Sequence, residues 1–304
     1  METGSILHAS TIIIISAGIF TGTLARIITL KIDYRQYPSY PNGYFIHIVA
    51  GFIASALGAI AIPALIEKDF AAFTFLALAI EHFRDIRRIE AESLEKLEDT
   101  EYTTRGTAYI DGIAKTFEAR NYISLLSSLT TVFTMIMFHI DNIVLNIITG
   151  IASGMIVLFV LKSATKGKKV GDICTVRPGQ IQVSGSELFV DGIFVTNLLG
   201  TDKSRNLFIN EGIAVLIEPQ EDIFRITLEN YGQRQAILFE ALRTFGVKRY
   251  HFTKRSFSTG KIIIAFVPVI HDIEKLLEVI KQTPILENSR KVRKIIKNPV
   301  IGGR

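Results

Sequence analysis

The chain has 304 residues, 48% of them hydrophobic, and a formal net charge of +5 at neutral pH. That length has room for about two domains of roughly 150 residues each. One cysteine, Cys174, excludes an intrachain disulfide and a thiolate metal cluster, in keeping with a reducing compartment.

Hydropathy and charge divide the chain in two. Residues 1–161 hold five apolar stretches and carry 11 Lys/Arg against 15 Asp/Glu; residues 162–304 read as soluble protein and carry 23 against 14, a balance of +9. A basic domain beside a membrane is drawn to the anionic cytoplasmic leaflet. Nucleic acid is the other usual partner of such charge. The chain has neither a recognition-helix signature nor an aromatic RNA-binding motif, so membrane lipids are expected and nucleic acid is not.

The first apolar run, Ile6 to Leu30, is long enough to cross a hydrocarbon core of ~30 Å at 1.5 Å per residue. Its positive charges, Arg26, Lys31 and Arg35, follow it, which favours a retained span with its N-terminus outside over a signal peptide. Arg26 lies one turn from the inner end and is expected to snorkel to the headgroups, with a buried functional charge as the alternative. The second run, Tyr44 to Ile66, is notched by Gly51, Ser55 and Gly58 and has Pro63 in its last turn. The third, Phe70 to Phe83, is short for a span, nearer a re-entrant piece. The fourth and fifth, Tyr122–Ile140 and Ile143–Leu161, are parted only by Asp141 and Asn142 and read as a tight hairpin.

Charge bias supports five crossings. With the N-terminus outside, segments 31–43, 81–121 and 162 onward are inside and hold nearly all the positive charge, leaving Lys68 outside. The chain is thus expected to be an integral plasma membrane protein with its C-terminal domain cytosolic. Gly18/Gly22 and Gly150/Gly154 have the GxxxG spacing of close helix approach, which suits packing within the bundle first and a homo-oligomer second.

Inside segment 81–121, Phe83, Ile86, Ile89, Leu94 and Leu97 make a narrow apolar stripe on a charged helix. From Lys162 short strands appear at Asp172–Val176, Gln180–Val183, Glu187–Val190 and Ile193–Asn197, separated by Pro178-Gly179, Ser184-Gly185 and Asp191-Gly192 turns. Strands at Ile213–Ile217, Phe224–Leu228, Arg249–Phe252 and Ile262–Val269 then alternate with helices at Gln233–Phe245 and Ile273–Gln282. The fold class is an α-helical polytopic membrane domain of about five spans followed by a cytosolic α+β domain, with a ferredoxin-like sandwich among the arrangements this order allows, and a small β-module. The divisions are 1–161 for the membrane domain with its cytosolic loop 81–121, 162–210 for the β-module, 211–285 for the α+β domain and 286–304 for a basic tail.

No P-loop, dinucleotide fingerprint, HExxH, GxSxG or kinase signature occurs, and no two of the six histidines share metal-ligand spacing, so no cofactor and no metal are expected. His47 and His139 lie near span ends, where an interfacial role fits. Two inside segments stand out. Asp33-Tyr34-Arg35-Gln36-Tyr37-Pro38-Ser39-Tyr40-Pro41 is an aromatic, stiff loop suited to the headgroup belt. Tyr109-Ile110-Asp111-Gly112-Ile113-Ala114 leads into Lys115-Thr116-Phe117-Glu118-Ala119-Arg120-Asn121 ahead of the fourth span.

The Tyr109–Ala114 hexapeptide resembles the signature of the YIEGIA family, named for that string, with Asp111 where the name has Glu. The Asp33–Pro41 loop, the chain length and the soluble second half are similar too. The resemblance implies a membrane protein of endospore-forming Gram-positive bacteria tied to sporulation, without implying a reaction.

Three functions follow as expectations. The first is a non-catalytic membrane protein whose cytosolic face binds a protein partner. Arg26, Tyr34, Arg35, Tyr37, Tyr109, Gly112, Arg120 and Asn121 are the binding candidates. The second is a membrane-bound acid protease using Asp33 and Asp111, with Glu118 in reserve, because carboxylates at a membrane edge can split into acid and base roles. Asp111 also has Lys115 four residues on, the spacing of an ordinary helical ion pair. The third is a transporter, which would need polar groups deep in the spans; Asn146 and several hydroxyls are what the sequence offers.

Overall fold

A computed structural model describes residues 2–30, 41–68 and 70–289. The chain forms two compact units. A helical unit comprises Met1–Glu92 and Ile113–Lys166, and an α+β unit comprises Ser93–Gly112 and Gly167–Arg304.

The helical unit holds α1 (Glu2–Leu30), α2 (Pro41–Ile66), the first part of α3 (Phe70–Glu98), most of α4 (Thr107–Phe138) and α5 (Ile143–Ala164). Among the described residues four helical stretches are long and apolar enough to cross a membrane: Ser10–Leu30, Tyr44–Ile66, Thr107–Phe138 and Ile143–Ala164. α3 is apolar only in its first half. The α4–α5 connection is as tight as the sequence suggests, because Asn142 caps α5 by accepting from the backbone N–H groups of Val144 and Leu145 at 3.0 and 3.2 Å.

Small residues let these helices touch, and the GxxxG pairs serve contacts within the chain. A Cβ on Gly22 would lie 2.6 Å from the Ser124 carbonyl oxygen, and one on Gly154 would lie 2.8 Å from that of Ser127 and from Thr21 Cγ2. Gly18 abuts Val132 and Ala59, and Gly150 abuts Met135. With no water to drive association, such close approach and hydrogen bonds hold apolar helices together. Ser128 Oγ donates to the Ser55 carbonyl at 2.7 Å, Ser153 to Thr134 Oγ1 at 2.9 Å, and Asn146 Nδ2 to the Met135 carbonyl at 3.3 Å. Phe83 of α3 is buried with Ala54 and Leu125 and meets Tyr122 edge-on at 5.5 Å.

Segment 81–121 opens on the charged helix its apolar stripe predicts, with α3 running to Glu98, and is helical again from Thr107, where α4 begins. Of its apolar stripe, Phe83 and Leu94 are buried while Ile89 is exposed.

The α+β unit is built on an antiparallel sheet of order β1-β5-β7-β6, formed by β1 (Cys174–Pro178), β5 (Ile213–Pro219), β6 (Val247–Arg255) and β7 (Ile262–Pro268). A separate meander joins β2 (Ile181–Ser184), β3 (Glu187–Val190) and β4 (Ile193–Thr196). Its last turn is the expected Asp-Gly hairpin, with Asp191 and Gly192 both at positive φ, the conformation a two-residue turn requires. β5 and β7 are buried on both faces and read as unbroken apolar runs. One face packs on α7 (Asp222–Glu229), α8 (Tyr231–Phe245) and α9 (Ile273–Gln282); the other packs on the meander and on α6 (Asp202–Glu211). β1, from the segment assigned to the small β-module, pairs with β5.

Two elements differ from expectation. Phe224–Leu228, expected as a strand, lies in helix α7. Alternating Phe224, Ile226 and Leu228 mimic period two, but the buried residues are Phe224, Thr227 and Leu228, a helical spacing. α6 has no counterpart in the sequence reading. It is a polar helix that buries Phe208 and starts at a Thr201–Ser204 cap.

Candidate functional site

In the helical unit, positive charge collects in the interior. Arg26 is 1% exposed, so it does not snorkel as expected. Gly51 makes the room: a Cβ there would lie 2.6 Å from Arg26 Cβ and closer still to Cγ. The guanidinium reaches His47, with Nε 3.3 Å from its carbonyl oxygen and Nη2 3.3 Å from Nδ1. His47 is buried too, not interfacial, and its ring stacks on Phe117 at 4.9 Å. Arg120, also buried, lies over the same Phe117 ring at 5.7 Å, and the charges of the two arginines repel. Next to Phe117 in sequence, Glu118 pairs with Arg87 at 3.5 Å. Ionisable groups inside an apolar helical unit are costly and mark function more often than those at a surface. Asn121 is 1% exposed, and neither of its amide atoms has a hydrogen-bond partner among the described residues. Below it on α4, Ser124, Ser127, Ser128 and Thr131 continue a buried polar stripe.

In the α+β unit, the first residues of the family-like hexapeptide are tied to α8. Tyr109 is buried and donates from its hydroxyl to Glu240 Oε1 at 2.5 Å, while its ring meets Phe239 edge-on at 6.3 Å. Arg105, 4% exposed, lies over the other partner of this contact, 4.5 Å from the Phe239 ring centre. Glu98 and Glu101 hold its guanidinium at 3.1 and 3.0 Å, and the Glu98 carboxylate also accepts from the backbone N–H groups of Arg105 and Gly106 at 3.0 Å. Buried charge is thus paired and hydrogen-bonded, as low dielectric demands. Ile110, Ile113 and Ala114 are buried, whereas Asp111 and Gly112 are half-buried. A Cβ at Gly112 would sit 3.8 Å from Leu286.

Gln233 finishes the frame. Fully buried, it donates to the Pro284 carbonyl at 3.0 Å and accepts from the Leu286 N–H at 2.8 Å, fastening residues 284–289 to α8. Elsewhere Arg177 bridges Asp191 at 2.5 Å and Glu218 at 2.9 Å, and Lys261 also reaches Glu218 at 2.9 Å. The Gln180 backbone N–H, then Arg177, hold the Asp191 carboxyl below its usual range; Lys261, then Arg177, do so for Glu218. Burial lowers the His251 imidazole and pushes the Cys174 thiol up to about 12.

Of the candidate residues, Arg26, Glu118, Arg120 and Asn121 belong to the helical unit and Tyr109, Asp111 and Gly112 to the α+β unit. Asp33, Tyr34, Arg35 and Tyr37 lie outside the described residues. The structure brings Arg26 and Arg120 together through His47 and Phe117. Sequence reasoning gave His47 an interfacial role and passed over Arg105, Phe239, Glu240 and Gln233. Arg105 alone carried a signal, a lone arginine four residues after Glu101. No group of three or more His, Cys, Asp or Glu side chains with metal-binding geometry occurs among the described residues.

A bundle of membrane-length apolar helices joined to an antiparallel α+β unit through a Tyr109–Ala114 helix start defines the class of this protein. A family model described as "YIEGIA protein" matches residues 13–295, and the chain belongs to that family. It is 35% identical over 292 residues to a Bacillus subtilis (strain 168) protein titled "Uncharacterized protein YphB", covering 93% of this chain and 96% of that relative. No solved structure matches the chain.

Proposed function

We propose that this chain is an integral plasma membrane protein of sporulating cells that holds its α+β unit at the cytosolic face to bind a protein partner. The observation that carries the reading is the role of the hexapeptide. Its Tyr109 and Ile110 are buried within the α+β unit, and Tyr109 is committed to Glu240, so this part of the signature serves the fold of that unit. Folded α+β units without a nucleophile–base pair serve most often as docking modules, an inference from fold alone. The strand order β1-β5-β7-β6, with α8 and α9 crossing one face, supports a ferredoxin-like reading in which β1 takes the edge place of a strand that would otherwise follow α9.

Five crossings with the N-terminus outside fit the helical unit. Arg26, His47, Arg87 and Arg120 meet near one level of α1, α2, α3 and α4. From that level the helices run back to Ser10, on to Ile66, back to Phe70 and on to Phe138, about 24–28 Å each at 1.5 Å per residue. α3 therefore has a share comparable to its neighbours. Photo-crosslinking residues placed at exposed Ile209 and Val269 in sporulating cells test the partner. One discrete adduct recurring at neighbouring positions is expected; none at any surface position of the α+β unit overturns the reading.

A second reading, an acid hydrolase using Asp33 and Asp111, has one observation in its favour: Asp111 stays partly accessible beside buried Ile110. Glu118 fits it less well, because it is already paired with Arg87 at 3.5 Å. Asp33→Asn and Asp111→Asn, made separately, should each stabilise the substrate in cells; wild-type turnover in both removes this reading.

A further inference from the structure

Two aromatic rings stand out of the α+β unit among arginines. Phe257, in the β6–β7 turn, is 76% exposed and Tyr231, the first residue of α8, is 72% exposed. Burying such a side chain is favourable, so leaving both in water marks a surface with a partner. They share one patch. Arg255 lies 4.6 Å over the Phe257 ring and pairs with Glu229 at 3.4 Å. Arg234 lies 5.9 Å over the Tyr231 ring, and Arg255 and Arg234 repel each other beside Glu229. Arg225, paired with Asp222 at 3.4 Å, is the third arginine.

The turn that carries Phe257 is fixed. Arg225 Nη2 donates to the carbonyl oxygens of Phe257 and Ser258 at 3.3 and 2.8 Å. The same side chain fills the space beside Gly260, where a Cβ would lie 2.7 Å from Arg225 Nε and where φ is +70°. Backbone bonds from Ser256 to Lys261 and from Gly260 to Ser256, both 2.9 Å, close the loop. Phe257 is exposed because a pinned turn presents it, which lowers the ordering cost of any contact it makes.

Rings flanked by arginine suit a protein or a headgroup layer. Charge and tethering favour the layer. Residues 162–304 carry +9, and each Lys or Arg near an anionic leaflet adds to the attraction. Segment 93–112 of this unit continues in sequence to the apolar run that opens at Tyr122. If that run spans a membrane, as proposed above, the bilayer is present at high effective concentration and even a weak contact is populated. We propose that the Tyr231–Phe257 patch rests on anionic lipid headgroups, with the rings in the interface and Arg225, Arg234 and Arg255 on the phosphates.

The chain has no tryptophan, so a single introduced indole reports its own depth. Full-length Phe257→Trp and Tyr231→Trp would be placed in nanodiscs containing brominated lipid, with about 30% phosphatidylglycerol or with phosphatidylcholine alone. Leu198→Trp, at a residue 69% exposed elsewhere on the unit, and Phe159→Trp, in α5, serve as references. Emission from positions 257 and 231 should fall by roughly half in the anionic discs and recover in the neutral ones, while position 198 stays bright and position 159 is quenched in both. Quenching at 159 with none at 257 and 231 overturns the lipid contact and leaves a protein as the occupant. Absence of quenching at 159 overturns the membrane reading itself.

Discussion

Tyr109 places a buried phenol hydroxyl in a short hydrogen bond to the half-buried Glu240 carboxyl group. Tyr109→Phe keeps the ring contact with Phe239 and removes the donor to Glu240, so the cost is that of a lost, partly buried hydrogen bond. We expect a loss of about 1–3 kcal/mol, read as a lower urea midpoint for the α+β unit of full-length protein in detergent. Combining it with Glu240→Gln should cost less than the two changes summed, since the partners are in contact. Titration adds a second expectation at this scale. Asp191 and Glu218 are held below their unfolded values of 3.8 and 4.5, so the unfolded chain takes up protons first as pH falls. Their stabilisation is complete above those values and is lost as pH drops through the lowered folded-state ones. His251, lowered from 6.5 by burial, acts with the same sign at higher pH. Stability measured by urea titration should therefore decline from just below pH 6.5, and His251→Gln should remove the upper part of that decline. A curve flat to below pH 4.5 would contradict both assignments.

Among the elements, the glycine faces of α1 and α5 decide whether the helices can meet. Gly154→Val drives a side chain into the Ser127 carbonyl, which is helix backbone and cannot yield. Overpacking of this kind costs about 1–3 kcal/mol. The thermal midpoint of the variant should fall in detergent, whereas Gly200→Ala, with nothing within 4 Å of its added carbon, should leave it unchanged. The sequence marked these notches because spacing alone encodes them. It also marked β3 and α9 to their end residues, where the period was clean and Asp272 provided the cap. It misplaced Phe224–Leu228 because five residues of mixed β-branched and aromatic character fit both periods. It passed over α6 because a ten-residue polar helix with one buried ring has almost no period to read. The Tyr109–Glu240 bond was out of reach for another reason: 131 residues separate its partners, and no local pattern registers such a contact.

At the scale of the whole chain, charge and packing give one account of topology. The charged ends of α1 to α4 gather at one level, and the apolar lengths beyond it are comparable. Single cysteines test the resulting orientation. Asp141→Cys, between α4 and α5, should react with an impermeant maleimide in intact cells, and Lys166→Cys, after α5, only once the membrane is opened. The reverse pattern would invert the protein in the bilayer.

Such reporters meet little interference from the protein's own sulfur. Cys174 is 2% exposed in the sheet core, and a thiol held near 12 offers almost no thiolate at neutral pH. Toward alkylating reagents and mild oxidants the folded chain behaves as a natural cysteine-free background, ready to carry a chemical label wherever one is installed.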